Sequence, residues 1–391
     1  MTDIDQIRKD TPACNDKLFF NSAGSSLPPR IVGDTIRTYL DEEEKIGGYR
    51  LADLREQETR GFYEQAARLL NTEGRHIAFA SHATDAYAKA LSSVPFRPGD
   101  VILTTDDDYV SNYLNFLSLQ QRFGIRIVRS RNLENGDLDL DHFWEMLKRY
   151  RPRLVSLTHI PTSSGLVQDA VAVGALCRET DTLYLLDACQ SVGQITVDVQ
   201  QIGCDFLSAT GRKFLRGPRG TGFLYVSERV LREGYAPLFV DLRGARWTAG
   251  EAYELEPDAR RFENWEVPYA LLLGLREAIA YARQVGIGQI EEYNQQLIGK
   301  MQKRLASLEG VQCFDRGSRR AAILTFRKAG KSLQATRAYL DAHDVYYSVV
   351  QQSSAQYDFA KKDIDWAIRL SPHYFNTLEE VDKLCELIEE L

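Results

Sequence analysis

The chain has 391 residues, with 48 Lys plus Arg against 55 Asp plus Glu for a formal net charge of −7, 44% hydrophobic and 26% charged residues. At about 150 residues per domain this length predicts two to three domains. The balance is that of a globular protein and excludes the disordered, collagenous and membrane classes. A mildly acidic chain without a dense Lys/Arg stripe is poorly matched to nucleic acid or to an anionic lipid surface, so small molecules are the expected partners.

The six cysteines (Cys14, Cys177, Cys189, Cys204, Cys313 and Cys385) are scattered, with no C-x-x-C pair and no Cys/His ligand spacing. Neither a metal site nor a disulfide framework is expected, and a reducing, cytoplasmic setting fits best. The N-terminus is polar where a signal peptide needs a basic and then an apolar stretch, and no apolar run approaches about 20 residues.

In chain order, the first 45 residues, which contain FFNSAGSSLPP, read as an arm that contributes to the small domain and to a substrate loop. Residues 46–286 read as a large domain. Helical periodicity covers Leu51 to Leu70, and from about Arg75 short β-rich runs alternate with Gly/Pro/Asp breaks and helical stretches, the pattern of a mostly parallel sheet. The predicted strands are HIAFA, VILTT, IRIVRS, LVSLTHI, LYLLDA, CDFLSAT and GFLYV. Their near-continuous apolar character implies helices on both faces. Further helices are predicted over Asp141 to Tyr150, Ala170 to Glu179 and Ala270 to Gln284. Residues 287–391 change grammar: a helix from Ile290 to Leu308, strands VQCF and AAILTF, a helix from Leu333 to His343, strands VYYSVV and WAIRL, and an acidic terminal helix. This reads as a small C-terminal α+β domain, and the whole as an α/β protein.

In open parallel sheets polar groups collect at the carboxyl ends of the strands. Asp187 ends LYLLDA, where a poorly solvated carboxylate is retained only if paired; a helix N-cap is the alternative use. Lys213 falls in a tight turn in SATGRKFLRGPRGTG. The glycines that follow it precede a strand, whereas nucleotide fingerprints need a strand, glycines and then a helix, so the nucleotide reading fails on context. Pyridoxal phosphate needs a lysine for an imine and a carboxylate to hold its ring nitrogen protonated, and no other common cofactor needs both. Its phosphate needs donors, which SHATDA supplies where it opens a helix: Thr84 and the amide of Ala83, with a simple Thr/Asp cap as the alternative.

DACQSVGQ, SATGRKFLRGPRGTG, RFENWEVP and IRLSPHYFNTLEEVD, in that order, resemble the class V aminotransferase family of fold-type I pyridoxal-phosphate enzymes, which includes cysteine desulfurases, cystine C-S lyases and isopenicillin epimerase-like proteins. The arginine before the lysine and the SSAQYDF and AIRLSPHYFNT segments are most similar to the branch of the ergothioneine-pathway C-S lyase. The resemblance implies Lys213 as the imine lysine, Asp187 as the ring-nitrogen partner and Gln190 at the ring hydroxyl. It implies Thr210 and Arg212 at the phosphate, with Arg212 standing where the family usually has His. Tyr109 falls at the position of the stacking histidine; a phenol stacks but does not shuttle protons at pH 7 as imidazole does. Arg369 is implied as the grip on a substrate α-carboxylate, the alternative being a surface ion pair. Asn21, Ala23 and Thr162 are implied in substrate binding, Thr162 standing where the family often has Asn. RFENWEVP lacks the usual Gly-Thr, and its place in a homodimer would be near the partner's active site.

Desulfurases resembling this chain carry a nucleophilic cysteine before the strand that holds the C-terminal arginine, yet Ser348 to Asp365 contains none. Cys189 is expected behind Asp187, and Cys313 and Cys385 are expected to be packed. His82, His159 and His373 are expected to be structural. The expectation is therefore an enzyme that removes the α-proton of an amino acid with Lys213, through an external aldimine, and expels a β-sulfur group from a cysteine derivative. Aminotransferase or epimerase outcomes, and a non-catalytic cofactor-binding protein, are the alternatives.

Overall fold

The computed structural model describes residues 3–391. Its centre is a seven-stranded sheet built from β1 (Ile77–Ala80), β2 (Val101–Thr105), β3 (Arg126–Ser130), β4 (Leu154–Thr158), β5 (Leu183–Asp187), β6 (Phe206–Thr210) and β7 (Gly222–Val226). The spatial order is β1-β7-β6-β5-β4-β2-β3, and only β7 runs against its neighbours. Every residue of β4, β5 and β6 is buried. Two apolar clusters cover the two faces, one containing Phe62, Tyr184 and Leu186, the other Tyr87, Phe116 and Leu185. That double burial is why these strands are apolar at successive positions instead of alternating.

The helices follow their caps and stripes. In Leu140–Tyr150 the Asp139 side chain accepts from the His142 amide, and Phe143, Met146 and Leu147 turn inward at helical spacing. The stretch predicted as one helix from Leu51 to Leu70 is two, Gly48–Leu54 and Glu56–Leu70, broken at Arg55. Arg55 there pairs with both Glu42 and Glu58, and the break lets Leu51 and the Phe62/Ala66 stripe each reach the core.

A second, antiparallel sheet of four strands contains Val311–Cys313, Leu324–Lys328, Trp366–Leu370 and Ser348–Gln351, in that spatial order. The predicted strand VYYSVV divides. Val345–Tyr346 leaves this sheet to pair in parallel with Leu18–Phe19 of the N-terminal arm, which thereby joins the C-terminal region. A hairpin absent from the sequence reading, Ala245–Ala249 with Ala252–Leu255, projects Trp247 and Tyr253 outward. Among the described residues no helix is long and apolar enough to cross a membrane.

The segment between the last two strands in sequence forms a short helix, Gln356–Lys362, fastened to the loop after β2, to the helix Val110–Phe123 and to β3. Tyr357 Oη lies 2.9 Å from Tyr113 Oη, the Arg129 guanidinium stacks 3.5 Å from the centre of the Tyr357 ring, and Lys361 pairs with Asp106. Burial, then the facing Asp358 carboxylate, push Asp107 up to about 7, against the Asn132 amide and Lys362, which favour its charge; Asp106 adds to the rise. The native state thus holds a proton that the unfolded chain gives up near 3.8, and stability is lost as pH rises through that window. Asp107→Asn is expected to melt above wild type at pH 8, with the gap closing toward pH 4, by calorimetry; a gap independent of pH would contradict this assignment.

Candidate active site

The carboxyl ends of β1, β2, β4, β5 and β6 open on one side of the sheet. The order β5-β4-β2-β3 reverses direction between β4 and β2, the place where open α/β sheets form a crevice. A cavity of about 340 Å³ lies there, lined by Ala83, Thr84, Tyr109, Thr162, Asp187, Gln190, Thr210, Arg212 and Lys213, and also by residues the sequence reading did not select: Asn112, Thr158, Ile160, Cys189, Arg219 and Gly220. Register sets the spacing, since Thr158 pairs with Asp187 and Asp187 with Ser208 across adjacent strand ends.

Asp187 is buried, accepting from the Cys189 amide at 3.0 Å and from Asn112 Nδ2 at 2.9 Å. It does not cap a helix. Burial raises its pKa above the ordinary carboxylate value, against the Asn112 and Cys189 hydrogen bonds and the Lys213 charge. Lys213 follows β6 in a turn closed by the Arg216 amide to the Lys213 carbonyl at 2.9 Å. Gly193 of DACQSVGQ, at φ 95°, lets that turn approach; a Cβ there would sit 2.6 Å from Leu215 N. Lys213 is buried, no carboxylate among the described residues lies within 4 Å of its Nζ, and burial lowers its basicity, with Arg212 and Arg369 adding to the effect and Cys189 and Asp187 opposing it. Its Nζ faces the Tyr109 ring at 6.0 Å from the centroid.

The helix Ala83–Ser93, here α1, starts at the cavity. His82, not Thr84 or Asp85, caps it by accepting the Asp85 amide at 2.9 Å, which leaves the first-turn amides at Ala83 and Thr84 for an anion. Thr210 donates to Thr221 O at 3.3 Å. Arg212, implied at the phosphate, lines the cavity with its guanidinium donating to the Gly24 carbonyl of the arm.

Arg369 is buried on the strand Trp366–Leu370 and makes no ion pair among the described residues, which removes the surface-pair alternative. Its Nη1 donates to Thr162 Oγ1 at 2.5 Å and Thr162 O at 3.1 Å. Gln190 Nε2 donates to the same hydroxyl at 3.1 Å and to Ala23 O at 3.2 Å. Thr162 therefore joins Arg369 to Gln190, and Gln190 is bonded in turn to the arm. Asn21 is bonded to Ser348 Oγ at 2.6 Å, outside the cavity wall. Burial, then Arg212, bring Arg369 down to about 10.

One sequence expectation is corrected. Cys189 does not lie behind Asp187; its side chain forms part of the cavity wall beside Lys213, because the chain turns back toward the cavity directly after the strand. Burial raises its thiol, opposed first by the Lys213 charge. His159 is buried and pushed down to about 3 by burial and then by Arg319, and His373 is bonded to Phe214 O at 2.8 Å.

The residues present fit pyridoxal phosphate. Gln190 Oε1 and Arg369 Nε are buried without partners, Lys213 is a buried amine without a carboxylate, Asp187 offers a lone pair held by neutral donors, and a helix N-terminus supplies an anion seat.

The sequence profile of the family described as Aminotransferase class-V matches residues 18–384. A probable cysteine desulfurase from Methanothermobacter thermautotrophicus is 28% identical over 403 residues, covering 99% of this chain and 98% of the relative. Among solved structures, the apo cysteine desulfurase from Thermococcus onnurineus superposes with TM-score 0.91 at 24% identity, covering 99% of this chain and 97% of the other. A cystine C-S lyase in complex with its product cysteine persulfide superposes with TM-score 0.87 at 22% identity, covering 97% and 99%. The chain therefore belongs to the class V aminotransferase family and is a fold-type I enzyme dependent on pyridoxal phosphate.

Proposed function

We propose that the protein is a C-S β-lyase that acts on a cysteine derivative. The observation that carries this reading is the conjunction of a cavity lined by Lys213, Asp187 and Thr162, the last of which Arg369 holds, with a cysteine-free, fastened segment from Ser348 to Asp365. Similarity to cysteine desulfurases and to a cystine C-S lyase supports sulfur-containing amino acids as the substrate class. Cys189 is a poor substitute for the missing nucleophile: desolvation raises its thiol above the ordinary value, which disfavours the reactive thiolate.

Bound pyridoxal phosphate supplies a carbonyl that condenses with amines and a ring that withdraws electrons from Cα. Lys213 would hold the cofactor and take the Cα proton; burial favours its neutral, basic form. Asp187 would keep the ring nitrogen protonated. Tyr109 would stack on the ring, and Gln190 would meet the ring hydroxyl with its free oxygen. Ala83, Thr84, Thr210 and Arg212 would hold the phosphate. Arg369, aimed by Thr162, grips the α-carboxylate, and Asn21 and Ala23 shape the arm beside it. In the overall reaction the Cα–H pair becomes a Cα–Cβ double bond, the Cβ–S pair leaves with the sulfur, which takes up a proton as a thiol, and water hydrolyses the resulting enamine to pyruvate and ammonium.

The same reading divides the chain at about residues 45 and 286 and makes it a homodimer. Leu238, Phe239, Leu242, Trp247 and Trp265, in and before RFENWE in the chain, are large apolar side chains left exposed, which supports burial against a second copy, with that loop near the partner's site.

Cystine, cysteine conjugates and common amino acids should be supplied in turn to the holoenzyme. Pyruvate and ammonium from sulfur-bearing substrates support the lyase. A keto acid formed without ammonium, loss of optical activity alone, or no turnover of any amino acid would each replace it with the aminotransferase, epimerase or non-catalytic alternative. Arg369→Lys is expected to lower kcat/KM about 100-fold, roughly 2.7 kcal/mol, with cofactor absorbance intact, because an ammonium lacks the planar fork. A change under about 1 kcal/mol would mean that Arg369 does not bind substrate.

A further inference from the structure

Asn112 lies in the first turn of the helix Val110–Phe123, here α2, and is 1% exposed. One Nδ2 hydrogen goes to Asp187 Oδ2 at 2.9 Å and the other to Asp108 Oδ1 at 3.1 Å. Both neighbours of that nitrogen are carboxylate oxygens, so a flipped amide would set oxygen against two acceptors; the chemistry admits one orientation only. Asp108 is itself immobilised. Its Oδ1 also accepts from the Tyr109 amide at 2.8 Å and Thr158 Oγ1 at 2.7 Å, and its Oδ2 from Thr104 Oγ1 at 2.5 Å and Ser156 Oγ at 3.0 Å. Since Ser156 donates to Asp108, Tyr87 Oη must donate to Ser156, at 2.7 Å. Five donors and no cation therefore fix a carboxylate whose remaining effect is to orient one amide.

We propose that Asn112, locked by Asp108, is a positioning residue that keeps the Asp187 carboxylate ionised and aimed so that the bound ring nitrogen retains its proton. The proposal rests on the assignment of Asp187 made above. Asp187 is buried and has no cation in contact, so its charge is maintained by two neutral donors, the Cys189 amide and Asn112. The charged or titratable groups facing it are Lys213, Asp108, Tyr87 and Cys189. Of these only Lys213 offers positive charge, and it makes no ion pair with Asp187. Removing the Asn112 donor would then favour transfer of the ring proton to Asp187. Asp108 cannot substitute, because a like charge brought nearer acts in the same direction.

The test uses holoenzyme loaded with pyridoxal phosphate labelled with ¹⁵N in the ring, whose chemical shift reports protonation directly. Asn112→Leu removes the donor at similar volume, and Asn112→Ala removes it together with the volume. Both are expected to move the ring signal toward the unprotonated position and to lower kcat 10- to 100-fold, with KM and cofactor Kd changed less than about threefold. An unmoved signal in either cofactor-loaded variant overturns the proposal. So does loss of cofactor binding in both, since a residue that only maintains a proton is not required for binding. Asp187→Asn is the control: if it too leaves the ring protonated, the Asp187 assignment fails; if it alone moves the signal, that assignment stands and the role of Asn112 falls.

Discussion

Lys213→Ala is expected to reduce turnover by about four orders of magnitude, the upper range for removal of a positioned general base, here combined with loss of the covalent anchor. Borohydride should fix the cofactor to the peptide containing Lys213 in wild-type protein and nowhere in the variant. The fold should survive. Lys213 is a buried cation with no carboxylate within 4 Å, so alanine removes a desolvated charge instead of a favourable pair. The sign follows from its basicity, lowered in the native state mainly by burial. Below its native value the folded apoprotein must hold a charge that water would solvate better, so the native state is disfavoured there and relieved as pH rises toward 10.5. Apo Lys213→Ala should accordingly melt above apo wild type at pH 7, with a smaller margin near pH 10. Covalent fixation on another lysine, or retained turnover, would remove Lys213 from the centre of the mechanism.

The central strands were legible because burial on both faces leaves no room for polar alternation: LYLLD and FLSAT read as interior strands without knowledge of their neighbours. Positions at their carboxyl ends were legible for the same reason, since a polar residue directly after such a run has only the crevice to enter. What escaped depends on direction taken after the strand. Asn112 is polar and four residues from Asp108, an ordinary helical spacing; nothing in that spacing says that β5 lies beside it. Cys189 was misplaced because a reversal of one or two residues after Asp187 decides which way its side chain points. The helix Gln356–Lys362 and its fastening to Asp106, Tyr113 and Arg129 join parts more than 200 residues apart, a pairing that no local pattern encodes. Arg212 shows the same limit, because its contact with the Gly24 carbonyl depends on where the N-terminal arm is laid down.

Asp187→Asn is expected to bind the cofactor and to lose 10²- to 10⁴-fold in kcat, the range for removing a preorganised electrostatic group from a dry site. The substitution preserves shape and keeps the Cys189 amide bond through its oxygen, while its NH2 faces Asn112 Nδ2 and gives up that one hydrogen bond. What changes is charge: an amide does not hold the ring nitrogen protonated, and the electrons of the broken Cα–H bond lose their sink. A second, independent measurement uses the apoprotein. Burial raises Asp187 above the ordinary carboxylate value, so the native state favours the protonated form and wild type loses stability as pH rises from 3.8 through the native value. Asparagine imitates that neutral form. The melting temperature of apo Asp187→Asn relative to apo wild type should therefore rise between pH 4 and pH 8, while that of the holoenzyme should not, because there the charge is matched by the ring. If both forms shift alike, Asp187 acts as a structural acceptor for Cys189 and Asn112, and the electron sink must be sought elsewhere in the cavity.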